Sequence, residues 1–352
     1  MAGKKHIIIT GGAGFIGSAL VWELNRAGLD NIVIVDALGR GGDWRNLNGL
    51  RFIDYIDKDD FSDDLQQGKF DLSLEAVFHL GACSSTTETD LRYLLKNNFE
   101  YSKLLARFCL GKSIRLIYAS SAATYGDGRQ SFDDSLDKLP LLRPLNPYGF
   151  SKQLFDFWAW RQGALEKIAG LKYFNVFGPN EYHKGEMRSM ACKGFEQIRS
   201  TGRLRLFKSD RPEYRDGEQE RDFLYVKDAV KMTAFFLFHP EIHGLFNIGG
   251  GSLHTWNELA ECLFQAMGIP PCIEYVPMPM ELKNRYQYRT KAEIGRIRSS
   301  GYSDPISPFS EAVTDYVRNY LEPGLYLGGA EGTAQAAEIR LQGSGFRKET
   351  RK

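Results

Sequence analysis

Short apolar runs bounded by polar residues and glycines recur along the first half of the chain, and helical periodicity fills the gaps between them. Ile7-Ile8-Ile9 is apolar at every position, not at alternate ones, which predicts a strand covered on both faces. A glycine turn follows. Phe15, Ile16, Leu20, Val21 and Leu24 then fall on one side of a 3.6-residue period, predicting a helix that stops near Gly28. Ile32-Val33-Ile34-Val35 predicts a second strand ending on Asp36. Further strands are predicted at Ala76-Val77-Phe78-His79, Arg115-Leu116-Ile117-Tyr118, 169–174 and Gly244-Leu245-Phe246-Asn247-Ile248-Gly249. Strands alternating with helices imply an α/β fold, a doubly wound parallel sheet of Rossmann type. Past Tyr173 the pattern loosens into segments rich in glycine, proline and charge, predicting a second, smaller α/β domain inserted between the later strands.

Composition narrows the function without naming it. A net charge of +1 argues against a broad nucleic-acid footprint. Cys83, Cys109, Cys192, Cys262 and Cys272 are scattered and show no C-x-x-C spacing, so neither a zinc site nor a disulfide framework is expected, and a reducing cytoplasm is the simplest home. The apolar run after the basic N-terminus is too short for a signal-peptide core, and no stretch approaches a membrane span.

Thr10-Gly11-Gly12-Ala13-Gly14-Phe15-Ile16-Gly17 lies between the first predicted strand and helix. Gly11, Gly14 and Gly17 keep G-x-x-G-x-x-G spacing, which allows a tight turn, close approach of backbone to a pyrophosphate, and close packing of helix on sheet. The phosphates would lie on the helix N-terminus. Asp36, about twenty residues on, can accept from an adenosine ribose and taken alone favours NAD. Arg40, Arg45 and Lys58 are near enough in sequence to pair a 2′-phosphate instead, leaving NADP open.

Asn146-Pro147-Tyr148-Gly149-Phe150-Ser151-Lys152 begins with an N-cap residue and a first-turn proline, so a helix should start there. Tyr148 and Lys152 are then one turn apart on one face. A neighbouring ammonium, together with a positive nicotinamide ring, should lower the phenol's pKa and let it take a proton from a substrate hydroxyl. Y-x-x-x-K is common by chance. Ser121, in the Ala119-Ser120-Ser121-Ala122-Ala123-Thr124-Tyr125-Gly126 run after a predicted strand, is the partner that gives it weight, since ligands bind at that edge of open α/β sheets.

Together these segments resemble the extended short-chain dehydrogenase/reductases. A closer resemblance, to the ADP-L-glycero-D-manno-heptose 6-epimerases, rests on several runs. They are His79-Leu80-Gly81-Ala82-Cys83-Ser84-Ser85-Thr86-Thr87-Glu88, Tyr173-Phe174-Asn175-Val176-Phe177-Gly178-Pro179, His183-Lys184-Gly185, Arg221-Asp222-Phe223 and Lys283-Asn284-Arg285-Tyr286-Gln287. The resemblance implies an isomerase with bound NADP, NAD being the alternative, that oxidises the C6 hydroxyl of an ADP-heptose and returns hydride to the opposite face. Tyr148 and Lys184 would be the two acid/base groups, with Lys152 and Ser121 beside Tyr148. Implied cofactor contacts are Gly11, Gly14, Phe15, Ile16, Gly17, Asp36, Ala37, Lys58, Leu80, Gly81, Ala82, Cys83, Ser84, Asn97, Tyr148, Lys152, Val176 and Lys184. Implied sugar-nucleotide contacts are Ser121, Asn175, Glu186, Lys193, Phe207, Lys208, Ser209, Asp210, Arg221 and Tyr286. The implied dinucleotide domain is 1–173 with 225–251 and 287–303, and the substrate domain is 174–224 with 252–286 and 304–327. No role is assigned to 328–352. A homo-oligomer, often a pentamer, also follows from the resemblance, as do a place in lipopolysaccharide heptose synthesis and the absence of a metal, nucleic-acid or membrane partner.

Some positions depart from the family pattern. Ala37 and, several residues on, Asp43 stand where an asparagine and a lysine are usual, and Lys193 stands where histidine is usual. A UDP-hexose 4-epimerase of the same family and a catalytically silent dinucleotide-binding scaffold are the alternatives. A 4,6-dehydratase is disfavoured, because Ala122-Ala123 occupy the positions of its acidic pair.

Overall fold

The computed structural model describes residues 5–39, 41–283 and 286–329. Arg40, Asn284, Arg285 and the tail from 330 onward lie outside the described residues.

Seven parallel strands form the central sheet. They are β1 (His6–Thr10), β2 (Ile32–Asp36), β3 (Asp54–Asp57), β4 (Leu74–His79), β5 (Arg115–Ser121), β6 (Ala169–Tyr173) and the edge strand Gly244–Ile248. From that edge the order is Gly244–Ile248, β6, β5, β4, β1, β2, β3. The chain therefore winds outward from β1 in one direction, returns, and winds outward from β4 in the other. Between β1 and β4 the crossovers diverge and leave a crevice beyond the carboxyl ends of the strands.

Successive side chains of β1 enter different cores, as the pleat requires. Ile7 and Ile9 pack with Phe15 and Leu20 of α1 (Phe15–Arg26) and with the helix Val226–Phe238. Ile8 packs with Val33, Val77 and Leu116 against Phe61 and Phe155 on the other face. Both faces being covered, residues 7–9 of β1 and 32–35 of β2 are apolar without a break, and Ile8, Ile9, Val33 and Ile34 are fully buried.

β3 has no such signature. Asp-Tyr-Ile-Asp is half-charged because β3 is the opposite sheet edge. The predicted strand 169–174 ends one residue early at Tyr173. Phe174 N still donates to Ile248 O at 3.0 Å, and the chain then turns into Asn175–Phe177, which pairs in parallel with Phe223–Tyr225. The helix crossing from β4 to β5 carries a π-helical segment, Leu95–Glu100.

Outside the main sheet, Leu204–Phe207 pairs in parallel with Ile273–Val276. Glu220–Arg221 lies between His254–Thr255, antiparallel, and Arg289–Thr290, parallel. These small sheets lie on segments that leave the main sheet after β6. Among the described residues, no helix is long and apolar enough to cross a membrane, and no group of three or more His, Cys, Asp or Glu side chains could hold a metal ion.

Candidate active site

At the crevice the glycine turn meets the segment after β4. Gly11 has φ +70°, and a Cβ there would lie 2.6 Å from Gly81 N; one on Gly17 would lie 2.0 Å from Gly11 O. Only bare backbone allows these approaches. Gly14 is the N-cap of α1 and offers no side-chain cap, so N–H groups at the helix start remain available to an anion. Asp36 ties β2 to the turn: its carboxylate accepts from Ala13 N and from Ala37 N, each at 2.8 Å. Burial raises its pKa, and these N–H donors oppose the rise.

A cleft of about 480 Å³ opens here, walled by Gly11, Gly14, Phe15, Ile16, Gly17 and Asp36 on the first side. Leu80, Gly81, Ala82, Ser84, Ser121, Tyr148, Lys152, Asn175, Val176 and Lys184 complete it. A smaller chamber of about 170 Å³ adjoins its Asp36 end and adds Ala37, Lys58, Cys83 and Asn97 to the lining.

Tyr148 reaches the cleft from the helix Pro147–Arg161. Asn146 Oδ1 accepts from Gly149 N at 2.7 Å, and Pro147 occupies the first turn, as the sequence predicts. A Cβ on Gly149 would lie 2.7 Å from Ala123 O, so this glycine lets the helix start lie against the turn after Ser121. Lys152 Nζ donates to Ala119 O at 3.1 Å. Burial brings Lys152 down to about 8, with Asp156 opposing.

The phenol behaves differently from the expectation stated above. Burial raises the pKa of Tyr148, and the group that pulls it back is the Ser121 hydroxyl, through a hydrogen bond, and not Lys152. The lysine's ammonium is engaged by the Ala119 carbonyl. An electrophilic partner in the cleft is needed before the phenol becomes a base near neutral pH.

Several supporting residues escaped the sequence reading. Asn98, fully buried in the π-helical segment, accepts from Cys83 N at 2.9 Å, and its amide donates to Cys83 O and to Ser151 Oγ, both at 3.0 Å. It thereby joins the loop after β4 to the Tyr148 helix. The implied neighbour, Asn97, faces the smaller chamber. His79 bonds Thr10 Oγ1 at 2.7 Å and Ser102 Oγ at 2.8 Å, and burial holds it neutral with a pKa of about 3. Asp156 accepts from Ser120 Oγ at 2.6 Å and Tyr118 OH at 3.0 Å, and pairs with buried Lys172 at 3.5 Å. Local sequence offers one signal for these, polar residues inside apolar runs; their partners lie far along the chain.

Lys184 enters the cleft on the 3-10 turn Tyr182–Met187, which bends at Gly185 (φ +54°). Its ammonium lies 5.2 Å from the centre of the Phe15 ring, and burial lowers its pKa while Glu181 raises it. It is no solvated surface lysine. Next to it, His183 Nδ1 accepts from Asn46 Nδ2 at 3.1 Å, and the same amide donates to Ala13 O at 2.8 Å, linking this turn to the glycine turn.

The remaining sugar-nucleotide candidates gather beside the small sheets. Arg221 is buried between the rings of Tyr286 (5.0 Å) and Trp256 (5.5 Å), donates to Glu220 O at 2.9 Å, and among the described residues has no carboxylate partner. Trp256 Nε1 donates to Tyr286 OH at 2.8 Å, and the Phe207 and Tyr286 rings are 6.4 Å apart. Lys208 is exposed, Ser209 N donates to Asp216 at 2.8 Å, and Asp210 pairs with Lys283 at 2.9 Å. Asp222 bridges this cluster to the cleft: its carboxylate accepts from Gly250 N, Gly251 N and Ala292 N, and its carbonyl accepts from Asn175 N and Nδ2. Glu186 is exposed on the Lys184 turn, with Lys193 Nζ donating to its carbonyl at 3.1 Å.

Comparison with known proteins agrees with this architecture. Residues 7–249 match the NAD dependent epimerase/dehydratase family. An ADP-L-glycero-D-manno-heptose-6-epimerase of Nitratidesulfovibrio vulgaris (strain Hildenborough) is 49% identical over 89% of this chain and 97% of its own. One from Fusobacterium nucleatum is 44% identical over 90% of this chain and 98% of its own. Among solved structures, the Helicobacter pylori ADP-L-glycero-D-manno-heptose-6-epimerase superposes with a TM-score of 0.75 at 26% identity, covering 89% of this chain and 95% of its own. Thermus thermophilus UDP-glucose 4-epimerase, in complex with NAD, has a TM-score of 0.68 at 25% identity, covering 89% and 97%.

Proposed function

Because this chain belongs to the NAD dependent epimerase/dehydratase family, we propose that it inverts C6 of an ADP-heptose, interconverting the D-glycero and L-glycero epimers of ADP-manno-heptose. The observation that carries the reading is that Tyr148 and Lys184, two groups able to exchange protons, line one cleft together with the glycine turn. Two such groups in one cleft let a proton be taken from the hydroxyl of one epimer and given to the alkoxide of the other.

The residues present fit a dinucleotide. The turn is bare backbone where side chains would clash, α1 offers uncapped N–H groups, and Asp36 faces the chamber. We take the dinucleotide to be NADP, with Lys58 at the chamber and Arg45 near it in sequence as the cations for a 2′-phosphate. Phe15, Ile16, Leu80 to Ser84, Asn97 and Val176 would line its path. A bound nicotinamide supplies reversible two-electron oxidation at C6. Tyr148 Oη takes the C6 hydroxyl proton, steadied by Ser121, while Lys152 orients the ring side of the cleft. Lys184 Nζ exchanges the proton on the opposite face. Arg221, a buried cation with no carboxylate partner among the described residues, suits the pyrophosphate of the sugar nucleotide. Tyr286, Phe207 to Asp210, Asn175, Glu186 and Lys193 would surround the rest of it. This activity fits the synthesis of heptose precursors for lipopolysaccharide, in the cytoplasm.

Incubation with ADP-D-glycero-D-manno-heptose beside UDP-glucose tests the reading. Inversion of the heptose alone is expected; inversion of the UDP-sugar alone would reject it. Tyr148→Phe and Lys184→Ala should each abolish interconversion while dinucleotide content is unchanged. The dinucleotide released on denaturation identifies NADP or NAD.

A further inference from the structure

We propose that Glu181 is a positioning residue for Lys184, pinning both ends of the turn that carries it and placing a carboxylate three residues before it. The proposal rests on the reading of Lys184 as an acid/base group.

Glu181 is fully buried. Its carboxylate accepts from Gly178 N at 3.2 Å before the turn, and from Ser189 Oγ at 2.7 Å and Ser189 N after it. Tyr316 OH, on the helix Phe309–Tyr316, donates to it at 3.0 Å. The hydrogen bonds from Ser189 and Gly178 and the charge of Lys184 favour the carboxylate, while burial opposes them and raises its pKa. These hydrogen bonds offset part of the cost of burying a carboxylate. Among the described residues it makes no salt bridge. Lys184, three residues on, is the cation whose field it feels.

The residues on either side are also tied down. Asn180, buried at φ +77°, donates to Ser18 Oγ of α1 and accepts from Leu327 N, both at 2.9 Å. Tyr182 OH donates to Leu325 O at 2.9 Å. Glu181 is thus the centre of three consecutive anchored residues, and Lys184 N donates to its carbonyl at 3.0 Å. The titratable groups facing Glu181 are Lys184, Tyr182, Cys192 and Tyr316. Those facing Lys184 are Glu181 and His183.

Glu181→Gln removes the charge and turns one acceptor into a donor. Its kcat should fall by about ten- to a hundredfold, the cost of a misplaced group, with KM within about threefold and dinucleotide content unchanged. The arm of the pH–rate profile that belongs to Lys184 should move to lower pH, because a neutral neighbour no longer favours the ammonium. Glu181→Asp keeps the charge and shortens the tether: kcat should fall while that arm stays in place, which tests the proposal even if the glutamine variant does not fold. An unmoved arm and undiminished kcat in Glu181→Gln would overturn it. So would a loss of activity that follows only dinucleotide content and melting temperature. Lys184→Ala, run in parallel, separates the two ideas. If it stays active, the role of Lys184 itself fails; if it is inactive while Glu181→Gln is normal, the positioning role alone fails.

Discussion

Gly17→Ala tests whether the glycine turn holds a dinucleotide, because its added methyl has nowhere to go. The new carbon would lie 2.0 Å from Gly11 O, 2.7 Å from Gly11 C and 2.9 Å from Gly12 Cα. Each of those atoms is backbone, so no side chain can rotate away. Carbon contacts are comfortable at about 3.5 Å, so the start of α1 must withdraw from the turn by roughly 1 Å. Overpacking of this kind costs about 1–3 kcal/mol. The displaced groups are the ones that would hold the pyrophosphate, and at about 1.4 kcal/mol per factor of ten the dinucleotide should bind roughly five- to a hundredfold more weakly. Titration of stripped protein with NADP, by calorimetry or fluorescence, measures this. Gly111→Ala is the control: a Cβ there meets nothing within 4 Å, at the end of the helix Tyr101–Gly111, and binding should be unchanged. A Gly17→Ala protein that binds with wild-type affinity would refute the placement of the phosphates.

Three further outcomes are expected. Lys152, brought from 10.5 to about 8 in the folded protein, binds its proton less tightly there than in the unfolded chain. Stability should therefore rise between pH 8 and pH 10.5, by up to about 3 kcal/mol relative to Lys152→Met; parallel denaturation curves for the two proteins across that range would contradict this. Asp156→Asn leaves the buried Lys172 ammonium without its carboxylate and should cost about 3–5 kcal/mol. The double variant with Lys172→Met should recover much of that, and equal melting temperatures for the single and double variants would argue against the pair. Asn98→Ala removes the bridge between Cys83 and Ser151, and loss of its buried bonds should cost about 1–3 kcal/mol, with kcat falling as the Tyr148 helix loosens; unchanged kcat would detach Asn98 from the site.

What could be read from the amino acids was what depends on neighbours in the chain. β1, β2, β4 and β5 are legible because burial on both faces gives each a run of consecutive apolar residues, and the Asn146 cap with Pro147 marks the Tyr148 helix to the residue. β3 was hidden because a sheet edge tolerates Asp54 and Asp57. Asn98 was hidden because nothing local separates it from Asn97. One is fully buried and bonded across 53 residues to Ser151, while the other faces a chamber. The direction of the Lys152 ammonium is hidden for the same reason: spacing brings it near Tyr148, but the Ala119 carbonyl, 33 residues away, decides where it points.

The ties from Tyr182 to Leu325 and from Asn180 to Leu327 span 143 and 147 residues. As the polypeptide emerges from a ribosome, the sheet can assemble well before those partners exist. The wall that carries Lys184 cannot reach its final form until Leu327 has been made. Contacts of such long sequence separation are slow to close. A nascent chain should thus gain the capacity to hold a dinucleotide earlier than the capacity to invert a sugar, an ordering that arrested chains of increasing length would reveal.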